Sequence, residues 1–265
     1  MGLKWKNAPV YFVIAQIRFS PILNIESRIP DIQEMFRRNG FPDFRQAQQF
    51  MFNLNGQQNS VPEAATPFPE QKRLFIFSDQ ARTQALLLDA SSLTFQTTAY
   101  ETFDDLCEIF LRRFEEVTGI VSPSYTERVG IRYLDAVMPK EGENLDQYLI
   151  PEVQGLRCYS NEKLIQTFSE SRIQHEDGIV LSRVVRQHGK IAYPLDLLPN
   201  AMQLILNSRF AGFEGHYAII DTDGYNEERK NLDILELGRK LAALHKHVDH
   251  AFHETITEHA TQQWK

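Results

Sequence analysis

Two strand-like segments with alternating side chains constrain the fold of this chain most strongly. Residues 10–19 read VYFVIAQIRF and residues 128–137 read RVGIRYLDAV, and both are rich in β-branched and aromatic residues. Because successive side chains of a strand point to opposite faces, each segment has one apolar face and one face that carries arginine. The predicted apolar faces comprise Val13, Ala15, Ile17 and Phe19 in the first strand and Val129, Ile131 and Tyr133 in the second.

The sequence that surrounds these two strands predicts an internal duplication. Each strand contains Ile-Arg-aromatic and leads through a loop with proline into a helix-like stretch. Each half would continue with about three strands and close with a long helix. We therefore predict an α+β fold of two similar β-α-β-β-β-α halves, residues 1–122 and 123–265, in one compact unit. Each half would pair an antiparallel sheet with a long helix packed on one face; two unrelated βα segments are the alternative.

Helical periodicity and turn signals place the other elements. Apolar residues at three- and four-residue spacing predict a helix from Thr102 that ends before Gly119, and a long terminal helix from about residue 231. A short helix is predicted over 30–38, and DTDGYNE at 221–227 is interpreted as a turn after a strand. Three aromatic residues are assigned to loops: Phe41, Phe44 and Phe68.

Charge and cysteine content favour a cytoplasmic protein. The chain has 28 basic and 35 acidic side chains, and its formal charge of −7 disfavours generic attraction to nucleic acid phosphates. Its two cysteines, Cys107 and Cys158, form no CxxC pair, so neither a disulfide framework nor a zinc ribbon is supported. The longest apolar runs are far shorter than the roughly 20 residues that cross a bilayer, so we expect no membrane span.

The segment 245–259, HKHVDHAFHETITEH, contains five of the eight histidines. His247, His250 and Glu254 share one flank of the predicted helix, a spacing at which imidazoles can share a transition metal. The segment lacks HExxH, and a metal centre would need a further ligand from another element. A solvated helix face is therefore favoured, and no metal or cofactor is predicted. The apolar stripe of residues 237–256 is expected to pack on the sheet of its own half.

The candidate binding residues lie on or beside the arginine-bearing strand faces. Arg18 and Arg132 occupy equivalent positions of the predicted duplication, and Arg128 shares the face of Arg132. If helices cover the apolar face, these arginines could bind an anionic ligand or a partner, or form ion pairs with Glu127 or Asp135. The predicted ligand- or partner-binding residues are Arg18, Arg128, Arg132, Asp135 and His245, and no catalytic residue is assigned.

Five segments without a catalytic signature are spread along nearly the whole chain. They are IRFSP in the first strand, TTAYETFDDL before the second helix, RVGIRYLDAV, the IDTDGY turn, and LHKHVDHAFHETIT in the terminal helix. In these segments the chain resembles a family of uncharacterised proteins of similar length, found sporadically among bacteria and archaea. The resemblance implies a prokaryotic cytoplasmic protein and implies no activity, cofactor or catalytic residue.

Three classes of function follow from these features. The lack of a convergent acid, base and nucleophile set favours a non-enzymatic binding, adaptor or regulatory protein that acts through a protein partner, encoded beside an effector or in a defence-type operon. The first alternative is an enzyme acting on an anionic small molecule or nucleotide, in which Arg128 and Arg132 hold the anion and His245 or Asp221 transfers a proton. The second alternative is a nucleic-acid-binding protein, which the net charge disfavours. The basic residues of that protein would be Arg37, Arg38, Arg45, Arg183, Arg186, His188 and Lys190.

For the binding-protein hypothesis, the partner could also be a second copy of the chain, which would give a homodimer.

Overall fold

An antiparallel sheet of ten strands forms the centre of the part of the chain that the structure describes. The structure is a computed structural model and describes residues 5–51, 70–156 and 165–265. The strands are β1 (Val10–Phe19), β2 (Asp43–Met51), β3 (Glu70–Ser78), β4 (Gln84–Leu88), β5 (Ser92–Thr97), β6 (Tyr125–Val137), β7 (Thr167–His175), β8 (Gly178–Lys190), β9 (Glu214–Asn226) and β10 (Lys230–Asn231). Their order is β2-β3-β4-β5-β1-β6-β9-β8-β7, and β10 pairs with β6. The predicted α+β class is confirmed.

Three long helices pack on one face of this sheet. The helices are α1 (Ile25–Arg38), α2 (Phe103–Val121), α3 (Ser208–Ala211), α4 (Ile234–His253) and α5 (Glu258–Trp264). The apolar stripes of α1, α2 and α4 share one hydrophobic core with the sheet. In α4, the buried residues Leu237, Leu241, Leu244 and Val248 contribute to that core, so its stripe is covered within the chain. Among the described residues, no helix is both long enough and apolar enough to cross a membrane.

The two central strands, β1 and β6, orient their side chains as the alternation predicts. Their predicted apolar faces lie in the core beneath the helices, a set made of Val13, Ala15, Ile17, Phe19, Val129, Ile131 and Tyr133. The strands pair antiparallel with Arg18 opposite Arg128 and Ile14 opposite Arg132. The three arginines therefore lie together on the second face of the sheet.

The second face of the sheet was expected to be uncovered, but part of it is covered. Residues 191–213, here called the cover segment, connect β8 to β9 and pack Ala201, Leu204 and Phe210 against one end of that face. The backbone N–H of Ile205 also donates to the carbonyl of Arg82 at 2.7 Å. The segment supplies its own apolar side chains, and burying them stabilises this position.

Each predicted half departs from β-α-β-β-β-α in its details. Both halves contribute to one sheet, because β1 pairs with β6. The first half contains an extra strand, β2, after α1. In the second half the predicted helix is replaced by two short 3-10 turns, at Leu145–Gln147 and Pro151–Val153. Pro151 lacks the N–H that a continuing helix would need, which favours a break there.

The predicted turn at 221–227 is wrong, because these residues belong to β9 except for the last. Gly224 is in the strand for a steric reason: a Cβ at this position would come within 2.6 Å of Val248 Cγ2 on α4. Because Gly224 has no side chain, α4 can lie close to β9. Glycine often indicates a turn, but at this position it allows close packing of a helix on the sheet.

Of the aromatic residues assigned to loops, Phe41 lies in the loop between α1 and β2, where it is 5% exposed and packs in the helix-covered core. The assignment of Phe44 is wrong, because it lies on β2 with its ring 5.2 Å from that of Phe77. Phe68 and Cys158 lie outside the described residues.

Helix ends differ from the predictions by a few residues. α1 begins at Ile25, five residues before the predicted start, and includes Pro30. α2 is capped by the side chain of Thr102 as predicted, but it continues past Gly119 to Val121 and is followed by Ser122, whose φ is 46°. α4 ends at His253, so its predicted stripe stops short of residue 256.

Candidate functional site

The arginine of β6 with the closest ion pairs is Arg132. Its Nε and Nη2 donate to the two carboxylate oxygens of Asp221 at 2.6 and 2.7 Å, and its Nη1 donates to Asp196 Oδ2 at 2.5 Å. Asp221 is only 2% exposed and also accepts from Arg183 Nη1 at 3.4 Å. Burial lowers the pKa of Arg132, but the hydrogen bonds and charges of Asp221 and Asp196 outweigh this and hold that pKa above its ordinary value.

Arg128 is engaged as well. Its Nη1 donates to Gln16 Oε1 at 3.1 Å, its guanidinium lies 4.7 Å from the centre of the Tyr225 ring, and it forms ion pairs with Asp223 at 3.6 Å and Glu227 at 3.7 Å. Arg18, opposite it on β1, is exposed. Carboxylates therefore neutralise most of the arginine charge on this face.

The arginines pair with carboxylates other than those predicted. Glu127 and Asp135 were the expected partners, but Asp135 lies on the helix-covered face because it alternates with Arg132 and Leu134. Its carboxylate therefore faces away from the arginines. The carboxylates that pair with Arg132 and Arg128 instead belong to the neighbouring strand β9 and to loops.

Half-exposed apolar side chains flank the arginines on β7 and β8. Phe168 is 60% exposed, and Ile179, Leu181 and Val185 are half-buried. Leu195 of the cover segment, 86% exposed, precedes the Asp196 that contacts Arg132. We call this surface the open face; it comprises Phe168, Glu170, Arg172, Ile179, Leu181, Arg183, Val185, Asp223 and Tyr225.

A separate group of polar and aromatic side chains lies on the other face of the sheet, beneath α2 and α4. The hydroxyl of Tyr133 is 3.1 Å from His245 Nδ1 and 3.4 Å from the hydroxyl of Tyr100. The imidazole of His245 stacks on the ring of Phe103, with 4.3 Å between centroids and 2° between planes. We call this group the helix-side cluster; it comprises Tyr100, Phe103, Tyr133, Asp135, His245 and Asp249.

Asp135 is the titratable group with the most unusual environment in this cluster. It is only 6% exposed. Burial, followed by the charges of Asp249 and Asp221, raises the pKa of Asp135 to about 8. Burial lowers the pKa of His245, which favours its neutral form. At neutral pH the cluster therefore holds a protonated carboxyl group, that of Asp135, and a neutral imidazole, that of His245.

Asp135→Asn is expected to remove part of the pH dependence of stability. The carboxyl titrates near 8 in the folded chain and at about 3.9 when unfolded, so the folded state binds the extra proton between these values. Stability should therefore fall as pH rises through this window, by about 1.4 kcal/mol per unit for this group. We expect urea titrations at about pH 5 and about pH 7.5 to show this extra slope in the wild type only. Parallel profiles would contradict the assignment.

The side chains of the enzyme hypothesis do not converge. Arg128, Arg132 and Asp221 are on the face opposite α4, whereas His245 contacts Tyr133 on the helix-covered face. The sheet separates them, and general acid-base transfer requires contact at roughly 3 Å or through one water. This predicted constellation is therefore wrong.

The basic residues of the nucleic-acid hypothesis are also separated. Alternation along β8 places Arg183 and Arg186 on opposite faces. Arg183 pairs with Glu170 at 2.8 Å, and Arg186 pairs with Asp146 at 3.0 Å. The arginines of α1, Arg37 and Arg38, both contact Glu34. No continuous basic surface forms from this set.

A cleft of about 510 Å³ lies near one end of β8. Its charged lining includes Lys140, Glu141, Glu143, Arg186 and Glu214. These charges are mixed, and the guanidinium of Arg186 is already held by Asp146 and by the carbonyl of Gln154. The cleft therefore has no net preference for an anion.

The histidines of α4 contact protein groups. The ring of His247 stacks on that of His175 with 4.1 Å between centroids, and its Nε2 lies 3.2 Å from Asp177 Oδ2. His253 stacks on Trp5 at 5.5 Å. Among the described residues, no three His, Cys, Asp or Glu side chains are arranged to hold a metal ion.

Added zinc is expected to leave the melting temperature of the protein unchanged. His250 is exposed and shares no metal geometry with its neighbours, so His250→Ala should melt like the wild type with or without zinc. Differential scanning calorimetry with zinc or with a chelator measures this. A zinc-dependent rise in melting temperature that disappears in His250→Ala would contradict it.

Sequence reasoning missed Tyr100, Tyr133 and Asp249 as neighbours of His245. The sequence did indicate the face on which Asp135 lies, because it is two residues after Tyr133 and therefore points to the same side of the strand as Ile131 and Tyr133. The approach of α2 and α4 to that face had no local signal. No family model, curated protein or solved structure matches the chain in comparisons with known proteins.

Proposed function

We propose that this chain is a non-enzymatic binding or adaptor protein that docks a protein partner on its open face. The observation that carries this proposal is the composition of that face. Exposed apolar side chains, above all Phe168, adjoin arginines and a tyrosine, residue types that are enriched in protein interfaces.

The charges of the open face favour a protein over an anion. Arg132 and Arg183 are already neutralised by Asp221, Asp196 and Glu170. A phosphate would have to displace these carboxylates, whereas a protein surface can pack on the apolar groups and leave the ion pairs intact. The same ion pairs hold the guanidinium groups in place, which lowers the entropy that binding must remove.

Paired variants of exposed apolar residues test this proposal. Tagged wild type, Phe168→Asp and Leu235→Asp are expressed at native levels, and bound proteins are measured by quantitative mass spectrometry after cross-linking. Leu235 is 72% exposed at the start of α4, so its replacement adds the same charge away from the open face. We expect Phe168→Asp to reduce recovery of a stoichiometric partner by about tenfold or more, and Leu235→Asp to retain it.

Cross-links and thermal melting complete the test. Cross-links from the partner should reach the arginines of β7 and β8, and all three proteins should melt alike. A wild type that yields no stoichiometric partner, or a partner lost equally in both variants, would refute the proposal. A second copy of the chain as the recovered partner would instead indicate a homodimer through this face.

We also propose that the two halves arose by duplication in a family of prokaryotic cytoplasmic proteins. The central antiparallel pairing of β1 with β6 supports this, as does the position of each half's other strands outward from that pair. Each half also supplies a long helix, α2 or α4, to the same face. Superposition of the backbones of residues 10–121 and 125–253 tests the duplication. Strands that fail to coincide in order and direction would exclude it.

A further inference from the structure

We propose that the helix-side cluster binds a primary alkylammonium group, carried either by a small amine or by a lysine side chain of another protein. This site is distinct from the open face and lies on the other side of the sheet. It combines a buried carboxyl group, that of Asp135, an unpaired buried hydroxyl, that of Thr222, nearby exposed carboxylates and aromatic rings.

Two buried polar side chains lie near each other under the helices. Asp135 is 6% exposed. The hydroxyl of Thr222 is fully buried and is unpaired among the described residues. In the register of β6 with β9, Thr222 lies opposite Tyr133 and Ile220 lies opposite Asp135. Thr222 and Asp135 are therefore diagonal neighbours on the helix-covered face. Buried polar groups normally have partners, so the unpaired hydroxyl of Thr222 beside the Asp135 carboxyl indicates a guest with hydrogen-bond donors.

The charges around the cluster favour a cation. The pKa of Asp135 is raised by its burial and by Asp249 and Asp221, and the charges acting on His245 come from Asp249 and Asp104. Asp221 is neutralised by Arg132 on the other face. Asp249 and Asp104 are exposed, so they would attract a cation toward the cluster.

The aromatic groups favour an ammonium on an alkyl chain. Tyr100 and Tyr133 meet edge to face at 5.4 Å, and Phe103 stacks on His245. Ring faces attract a desolvated cation and also pack against methylene groups. An ammonium group has three donors in a compact shape, which suits the closely spaced Asp135 and Thr222 better than a planar guanidinium.

Binding of the cation and ionisation of Asp135 should be coupled. Without a guest the carboxyl carries a proton at neutral pH, because its pKa is about 8. An ammonium group would stabilise the ionised form, so the carboxyl would release its proton to the buffer as the complex forms. The other titratable groups facing the site are Tyr100, Tyr133, Asp104, His245 and Asp249.

Isothermal titration calorimetry of the full chain at neutral pH tests this inference with n-butylammonium as probe. Titrations in phosphate and in HEPES, which differ in ionisation enthalpy, count the protons released. We expect saturable binding with close to one proton released per site. n-Butanol, which lacks the charge, and tetramethylammonium, which lacks donors, should bind at least about tenfold more weakly.

Matched variants locate the site. Asp135→Asn should abolish both binding and proton release while preserving the fold, because the native carboxyl is already neutral at this pH. Asp223→Asn removes a half-buried carboxylate from the opposite face and should leave both unchanged. Saturable binding that persists in Asp135→Asn, binding without proton release, or no binding would overturn the inference.

A second probe distinguishes the two sources of the ammonium group. The peptide acetyl-Gly-Lys-Gly-amide presents the same group on a backbone. Binding of n-butylammonium but not of the peptide would assign the site to small amines. Binding of the peptide at least as tightly would assign it to a lysine of a partner protein.

Discussion

Phe110→Ala is expected to destabilise the protein by about 3 to 5 kcal/mol. Phe110 lies on the buried face of α2, is fully buried, and stacks with Phe95 at 6.4 Å between ring centroids. Truncation removes the transfer free energy of the ring and leaves a cavity beneath three helices and the sheet, which can collapse only partly. Urea denaturation followed by circular dichroism measures the loss in the free energy of unfolding.

Phe252→Ala is the matched control for this prediction. Phe252 falls in the apolar stripe predicted for the terminal helix, but its side chain is only partly buried, beside Trp5 and Trp264 at 6.0 and 6.1 Å. We expect a loss of about 1 to 2 kcal/mol, since less apolar area leaves water. Equal losses for the two variants would show that α2 does not form the centre of the core.

Arg132→Met is expected to cost about 3 to 5 kcal/mol, because it leaves the carboxylate of Asp221 buried without its bidentate partner. Asp221 is 2% exposed, and its remaining contact is Arg183 at 3.4 Å. Arg128→Met, on the same face of the same strand, should cost only about 1 kcal/mol. Its ion pairs with Asp223 and Glu227 are longer, at 3.6 and 3.7 Å.

The double variant Arg132→Met/Asp221→Leu separates burial of the charge from loss of the contact. Replacing both partners by apolar side chains removes the uncompensated carboxylate, so the double variant should be more stable than Arg132→Met alone. Measured by urea denaturation, additive losses would contradict the ion pair. A loss for Arg132→Met no larger than for Arg128→Met would contradict the burial of Asp221.

The division of β1 and β6 into an apolar and an arginine-bearing face could be predicted from the sequence alone. The reason is local, because successive side chains of a strand point in opposite directions whatever the strand pairs with. The same holds for α2, where apolar spacing and the capping hydroxyl of Thr102 act within a few residues of each other. The apolar stripe of α4 was likewise predictable up to His253.

Only the tertiary structure decided which side chains meet. Arg132 finds Asp221, 89 residues away, through the register of β6 with β9, and nothing in either local sequence specifies that register. The sequence predicts a turn over residues 221–227, most of which lie in β9, because Gly224, a common turn residue, instead serves the close approach of α4. Asp135 and His245 meet Tyr133 because a helix and a strand distant in sequence pack on one core. Local sequence determines the direction of a side chain from its own backbone, whereas its neighbours depend on long-range packing and pairing.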